Sequence, residues 1–225
     1  MIYRRPLRIG LPRVALGDGV RAFLLGSMLV LGGNAMSYEE PGYSVITQSG
    51  PVEYRRYQAY LVAETLVADR ADFDSAGNEG FRRLFKYIAG GNTSQSRITM
   101  TAPVSQAAQP EKIAMTVPVQ QQGAAAGWRI AFMLPAQYTI ETAPKPSDVR
   151  VQVTAVPARL VAVLRYSGRW TEGNYLQHRD ELLQGLSQAG IKPSGEPWLA
   201  RYNGPFSLPF LRRNEVLIKV DRVPD

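Results

Sequence analysis

At 225 residues, 45% apolar and 20% charged, the chain can support one globular domain with its own core plus a short extension, and it is too apolar to stay disordered. It has no cysteine, which excludes disulfides, zinc–thiolate and iron–sulfur sites and thiolate catalysis together. The net charge of +7 is uneven: residues 1–37 hold five arginines against one aspartate, leaving 21 basic and 18 acidic residues, or +3, for 38–225. No Lys/Arg run interleaved with aromatics occurs beyond the first 37 residues, so nucleic acid is not an expected partner.

Residues 1–37 read as a targeting segment. A basic stretch ends at Arg21, and Ala22 to Gly33 are twelve uncharged, mostly apolar residues. At about 1.5 Å per residue they fall short of a hydrocarbon core of roughly 30 Å. Ala35 and Ser37 place small side chains at minus three and minus one of a cut before Tyr38. Two readings stay open, a cleaved signal peptide and a retained N-terminal membrane anchor, with 38–225 as the folded domain. Either makes it exported, periplasmic or extracellular, or held at a membrane by that segment alone. A true start at Met36 would leave it cytoplasmic.

In the domain, Tyr43–Gln48 and Val52–Tyr57 read as strands around the turn Ser49-Gly50-Pro51, and Ala59–Val67 as a third. Ser75–Ile88 is a helix, with Phe81, Leu84, Phe85 and Ile88 at i, i+3, i+4, i+7. Asp72, Asp74 and Ser75 offer caps, and Gly90-Gly91 end it. Two copies of one phrase follow, Ile98-Thr99-Met100-Thr101-Ala102-Pro103-Val104 and Ile113-Ala114-Met115-Thr116-Val117-Pro118-Val119. Each is expected to be a strand, at an edge, a bulge or a strand end because of its proline. Trp128–Leu134, Val149–Val156 and Arg159–Tyr166 are further strands, with a Pro-rich turn at 143–146. Thr171–Gln188 is a second helix, and Trp198–Tyr202 and Glu215–Val220 close the chain as strands.

Strand-strand-helix-strands thus occurs twice, over roughly 43–135 and 149–221. The fold class is α+β, a distorted antiparallel β-barrel of two pseudo-repeated halves flanked by two α-helices.

The chain also resembles the SOUL haem-binding family. The resemblance is carried by Glu53-Tyr54-Arg55 with Tyr57, Val62-Ala63-Glu64-Thr65, the helix from Gly80 to Ile88, and both M-T-x-P-V phrases. Phe132-Met133-Leu134-Pro135, Arg201-Tyr202-Asn203 and Arg212-Arg213-Asn214-Glu215-Val216 extend it to the end of the domain. It implies a non-catalytic module binding haem or metal-free porphyrin, non-covalently, in an apolar groove beside the first helix, for buffering, scavenging or transport. Carried over, Leu84, Phe85, Ile88 and Met100 are the groove-facing candidates, and Arg82, Arg83 and Lys86 would meet the propionates. The one histidine, His178, lies on the second helix at the edge of its apolar stripe, which fits a half-exposed surface residue better than an iron ligand. Tyr87 or a methionine is the alternative ligand. Other readings of the same fold are a module for another amphipathic molecule or a protein partner, and a small-molecule hydrolase. One histidine, no cysteine and no paired carboxylates speak against an enzyme.

Overall fold

The computed structural model describes residues 38–68, 72–95 and 109–224. The leader at 1–37 and the first of the two repeated phrases, Met100 included, lie outside the described residues.

Alternating apolar residues make the strands. β1 (Tyr43–Ser49) and β2 (Val52–Tyr57) form a hairpin, and β3 (Tyr60–Ala68) leads to helix α1 (Phe73–Ile88). β4 (Asn92–Thr93) forms a two-residue ladder with β7 (Lys145–Pro146), within the expected Pro-rich turn. β5 (Val119–Ala124) and β6 (Gly127–Met133) are a second hairpin, and β8 (Val151–Val156) and β9 (Arg159–Tyr166) lead to helix α2 (Glu172–Gln188). β10 (Pro193–Arg201) and β11 (Asn214–Val220) complete the fold. No described helix is long and apolar enough to cross a membrane.

Nine strands form one antiparallel sheet in the order β1-β2-β9-β11-β10-β5-β6-β3-β8, a curled half-barrel carrying two helices. The order around its middle is symmetric: β10-β11-β9-β2 on one side mirrors β5-β6-β3-β8 on the other. The halves β2-β3-α1-β5-β6 and β8-β9-α2-β10-β11 therefore exchange strands. β2 pairs with β9 of the second half, and β8 with β3 of the first.

One sequence expectation is corrected. Ile113–Val119 is not a strand. Apart from a single bridge from Thr116 to Glu39, pairing starts only at Val119, immediately after Pro118, which has no N–H to give a ladder. The strand that does form, Val119–Ala124, is rich in glutamine. Gln121 is buried because its amide donates to the Phe73 carbonyl (2.7 Å) and accepts from Arg201 (3.0 Å).

Two cores share the helix-bearing face. Tyr175, Leu182 and Leu186 of α2 pack on Val52, Ala162, Leu164, Leu199 and Val216. Leu84, Tyr87 and Ile88 of α1 pack on Ala63, Ile130, Phe132 and Val151. The other face carries Val161, Val163, Trp198 and Leu217 and a buried ionic cluster. There the Glu215 carboxylate accepts from Arg55 (2.9 and 3.2 Å), Arg213 (3.0 Å) and the Tyr202 hydroxyl (2.8 Å). Burial and the nearby Glu215 charge push the Tyr57 phenol up to about 12. The Arg55 guanidinium is disfavoured by burial, but its bonds to Glu215 outweigh that and raise it.

Candidate functional site

Helix α1 is placed by its start and by one close contact. The Asp72 side chain caps it, accepting from the N–H groups of Asp74 (3.0 Å) and Ser75 (2.8 Å). Gly80 lies so close to β6 that a Cβ there would stand 2.1 Å from Ile130 Cγ1. The helix thus sits hard against the sheet, which decides which of its side chains reach solvent.

The sequence-predicted residues separate accordingly. Leu84 (0% exposed) and Ile88 (5%) face the sheet and are closed inside the core, not open to a groove. The stripe that periodicity groups together is wider than the area the sheet covers, so its flank is left in solvent. On that flank Phe81 (38%) and Phe85 (50%) are exposed and stacked, with ring centroids 5.9 Å apart and planes 12° apart. Phe81 also meets the buried Phe132 ring edge-on at 5.2 Å, tying the outer pair to the core. Phe81 belongs to this surface although the resemblance does not single it out; its i, i+4 spacing from Phe85 was the available signal.

The three cations separate too. Arg83 is tied down: its guanidinium donates to Glu79 (2.8 Å), Thr65 Oγ1 (3.3 Å) and the Leu66 carbonyl (3.1 Å). Arg82 remains largely in solvent and pairs with the same Glu79. The hydrogen bond from Arg83, aided by the charges of Arg82, Arg83 and Arg150, holds the Glu79 carboxyl below the usual range. Lys86 is exposed and pairs with no described residue. One carboxylate thus offsets two arginines, and Lys86 with Arg82 leaves positive charge beside the phenyl pair.

The ends of the undescribed segment 96–108 lie close by. The Ser94 N–H donates to the Gln109 carbonyl (3.0 Å), and Ile113 N–H donates to the Ile88 carbonyl (2.9 Å). The Asn92 amide joins the Tyr87 (2.7 Å) and Glu111 (2.8 Å) carbonyls. The chain therefore leaves and re-enters the described structure at the C-terminal end of α1.

Two candidate iron ligands are otherwise engaged. Tyr87 is buried and its hydroxyl donates to the Pro144 carbonyl (2.9 Å). His178 is half-buried on α2, stacked on Tyr166 at 4.0 Å, with Nδ1 donating to the Asn174 carbonyl (2.7 Å). Among the described residues no cluster of three or more His, Asp or Glu could hold a metal ion.

A cleft of about 360 Å³ opens elsewhere, lined in part by Tyr60, Leu61, Leu134 and Val156. Glu39 and Glu40 also line it, accepting from the Ala136 N–H (2.7 Å) and from Arg213 (2.9 Å). Its ionic lining is acidic, where the α1 flank is basic.

The family model described as SOUL heme-binding protein matches residues 38–219. The chain belongs to this family. Among curated relatives, the chain is 27% identical to Heme-binding protein 1 of Xenopus laevis over 164 residues, covering 73% of this chain and 80% of that one. Heme-binding protein 2 of Homo sapiens is 33% identical over 101 residues, covering 39% of this chain and 49% of that one. Among solved structures, the C-terminal domain of EcmrR superposes with a TM-score of 0.54 at 10% identity, covering 80% of this chain and 99% of that one. That likeness extends the SOUL domain's architecture, though not its chemistry, to a distant sequence.

Proposed function

We propose that this SOUL domain binds haem or metal-free porphyrin reversibly and without catalysis, on the Phe81–Phe85 flank of α1, to buffer, scavenge or carry the tetrapyrrole. The observation that carries the reading is a stacked phenyl pair left in solvent beside Arg82 and Lys86, on a member of a haem-binding family. A tetrapyrrole is a flat apolar plate with two carboxylates at one edge. Stacked rings can hold the plate, and neighbouring cations can meet the carboxylates. The acidic cleft lined by Glu39 and Glu40 suits such an anion less well.

Micromolar affinity corresponds to about 8 kcal/mol, or roughly 330 Å² of apolar burial at about 25 cal/mol/Å² before association costs. Two partly exposed phenyl rings are a small surface for that. Charge-assisted bonds from Arg82 and Lys86 to the two carboxylates add to what the rings supply. With His178 and Tyr87 engaged elsewhere, the macrocycle rather than the iron is what the site reads. The leader at 1–37 is read as taking the domain out of the cytoplasm or holding it at a membrane.

Titration with haemin and with protoporphyrin, followed by Soret absorbance and tryptophan quenching, tests the reading. Both should bind with similar affinity. Phe85→Asp should abolish binding without altering the thermal melt, and His178→Ala should leave it unchanged. Loss of binding on the histidine change alone, or no binding of either compound below about 100 μM, would overturn the proposal.

A further inference from the structure

The connection from β10 to β11, residues 202–213, presents large apolar side chains to water. Phe206 is 99% exposed, Phe210 69%, Leu211 67% and Leu208 55%. Single exposed apolar residues are ordinary, but four within six positions form a patch of the kind that marks an interaction site.

The loop is braced as well as apolar. The Arg212 guanidinium lies over the Trp170 ring at 4.1 Å and donates to the carbonyls of Ser207 (2.9 Å) and Pro205 (2.9 Å). Ser207 N–H donates to Gly204 O (3.2 Å), and Leu211 N–H to Leu208 O (3.0 Å). Pro209 O accepts from the N–H groups of Gly168 (2.9 Å) and Arg212 (3.2 Å). At its base the Asn203 side chain accepts from Arg213 N–H (2.6 Å). The carbonyls of Gly204, Pro205, Ser207, Leu208 and Pro209 are thus all satisfied from within the protein, and two of these residues are prolines with no N–H to satisfy. Five of the eight carbonyls from Gly204 to Leu211 are therefore bonded before the loop leaves water, which lowers the cost of entering an apolar layer where nothing else can bond to them. A loop built to meet another protein gains less from this, because a protein partner brings donors of its own.

The base of this knob carries an excess of positive charge: Arg213 there is paired with Glu40 and Glu215, while Arg169 and Arg212 form no ion pair with a described residue. From Leu160 to Thr171 and from Pro197 to Asn214 the chain carries Arg165, Arg169, Arg201, Arg212 and Arg213 and no acidic residue. Arg169, next to the Gly168 that bonds the knob, is exposed, and its guanidinium forms no ion pair with a described residue. An apolar tip whose backbone is largely bonded from within, above arginines, is complementary to a layer of hydrocarbon beneath anionic headgroups.

We propose that the Phe206–Leu211 knob inserts into the interfacial layer of an anionic lipid bilayer, docking the folded domain there independently of its N-terminal segment.

Because the chain has no cysteine, Ser207→Cys in the full-length protein carries a single polarity-sensitive fluorophore at the knob, and Ser187→Cys at the C-terminal end of α2 serves as the control position. With vesicles of equal parts phosphatidylcholine and phosphatidylglycerol, the label at 207 should shift to the blue and the label at 187 should not. Phosphatidylcholine vesicles should require about tenfold or more lipid for the same shift, and Phe206→Asp with Phe210→Asp should weaken the response at least as much while leaving the thermal melt unchanged. Because the readout is local, lipid binding by the leader does not mimic it. No shift at 207 with either vesicle, a shift equally strong on neutral lipid, or one that survives the double aspartate change overturns the proposal.

Discussion

Glutamine in place of Glu215 tests the buried ionic cluster, because it keeps the shape and removes only the charge. The Glu215 side chain is 0% exposed and serves two guanidiniums, Arg55 at 3% and Arg213 at 20%. After Glu215→Gln, Arg55 keeps Glu53 (2.8 Å) and Arg213 keeps Glu40 (2.9 Å), but both those carboxylates are a third exposed. The new amide NH₂ must also point at a donor, since Arg55, Arg213 and Tyr202 all donate to this position. Removing one member of a buried pair costs about 3–5 kcal/mol. In a domain of this size each kcal/mol lowers Tm by about 2–4 °C, so a fall of roughly 6–20 °C is expected. Arg213→Gln should cost distinctly less, because Glu215 then keeps Arg55 and the Tyr202 hydroxyl. Calorimetry on both variants, with reversibility checked, decides it. A Glu215→Gln melt within about 2 °C of the parent, or a larger loss for Arg213→Gln, would refute the reasoning.

Gly80→Ala should destabilise the domain in urea: the gain of about 1 kcal/mol in helix propensity is outweighed by overpacking of about 1–3 kcal/mol where the new Cβ meets Ile130. A stabilised variant would contradict the close packing of α1. The Asp72 carboxyl is held below its usual value by N–H bonds from Ser75 and Asp74. Its contribution is present above the unfolded aspartate value near about 4 and is lost as pH falls through the lower folded value. Asp72→Asn, which still accepts at the cap, should therefore lose less Tm than the parent between about pH 5 and about pH 2, and parallel acid profiles would count against the cap.

How much was legible in the sequence follows the range of the forces involved. Strands such as Val52–Tyr57 and Arg159–Tyr166, with side chains that alternate between two covered faces, are local patterns and were readable, as were both helices and, among the cap candidates of the first, Asp72. The Gln-rich strand from Val119 was not, because Gln121 is buried through bonds to Phe73 and to Arg201, 80 positions away. The Arg55–Glu215 pair spans 160 positions and leaves no local trace. On α1, periodicity collected Phe81, Leu84, Phe85 and Ile88 correctly but could not say how wide a strip the sheet would cover. That width separates Leu84 and Ile88 in the interior from Phe81 and Phe85 on the outside.

The crossed partnership of β2 with β9 and of β8 with β3 has a consequence for how the domain comes apart. Each half lends an outer ribbon to the other, so detaching either would strip a full row of main-chain bonds from the half that stayed behind. The duplicated units are interlocked like clasped hands. Neither can melt, be excised or be exchanged for a cousin's version while its twin stays intact, and whatever rests on the outer flank of the first helix draws its rigidity from both.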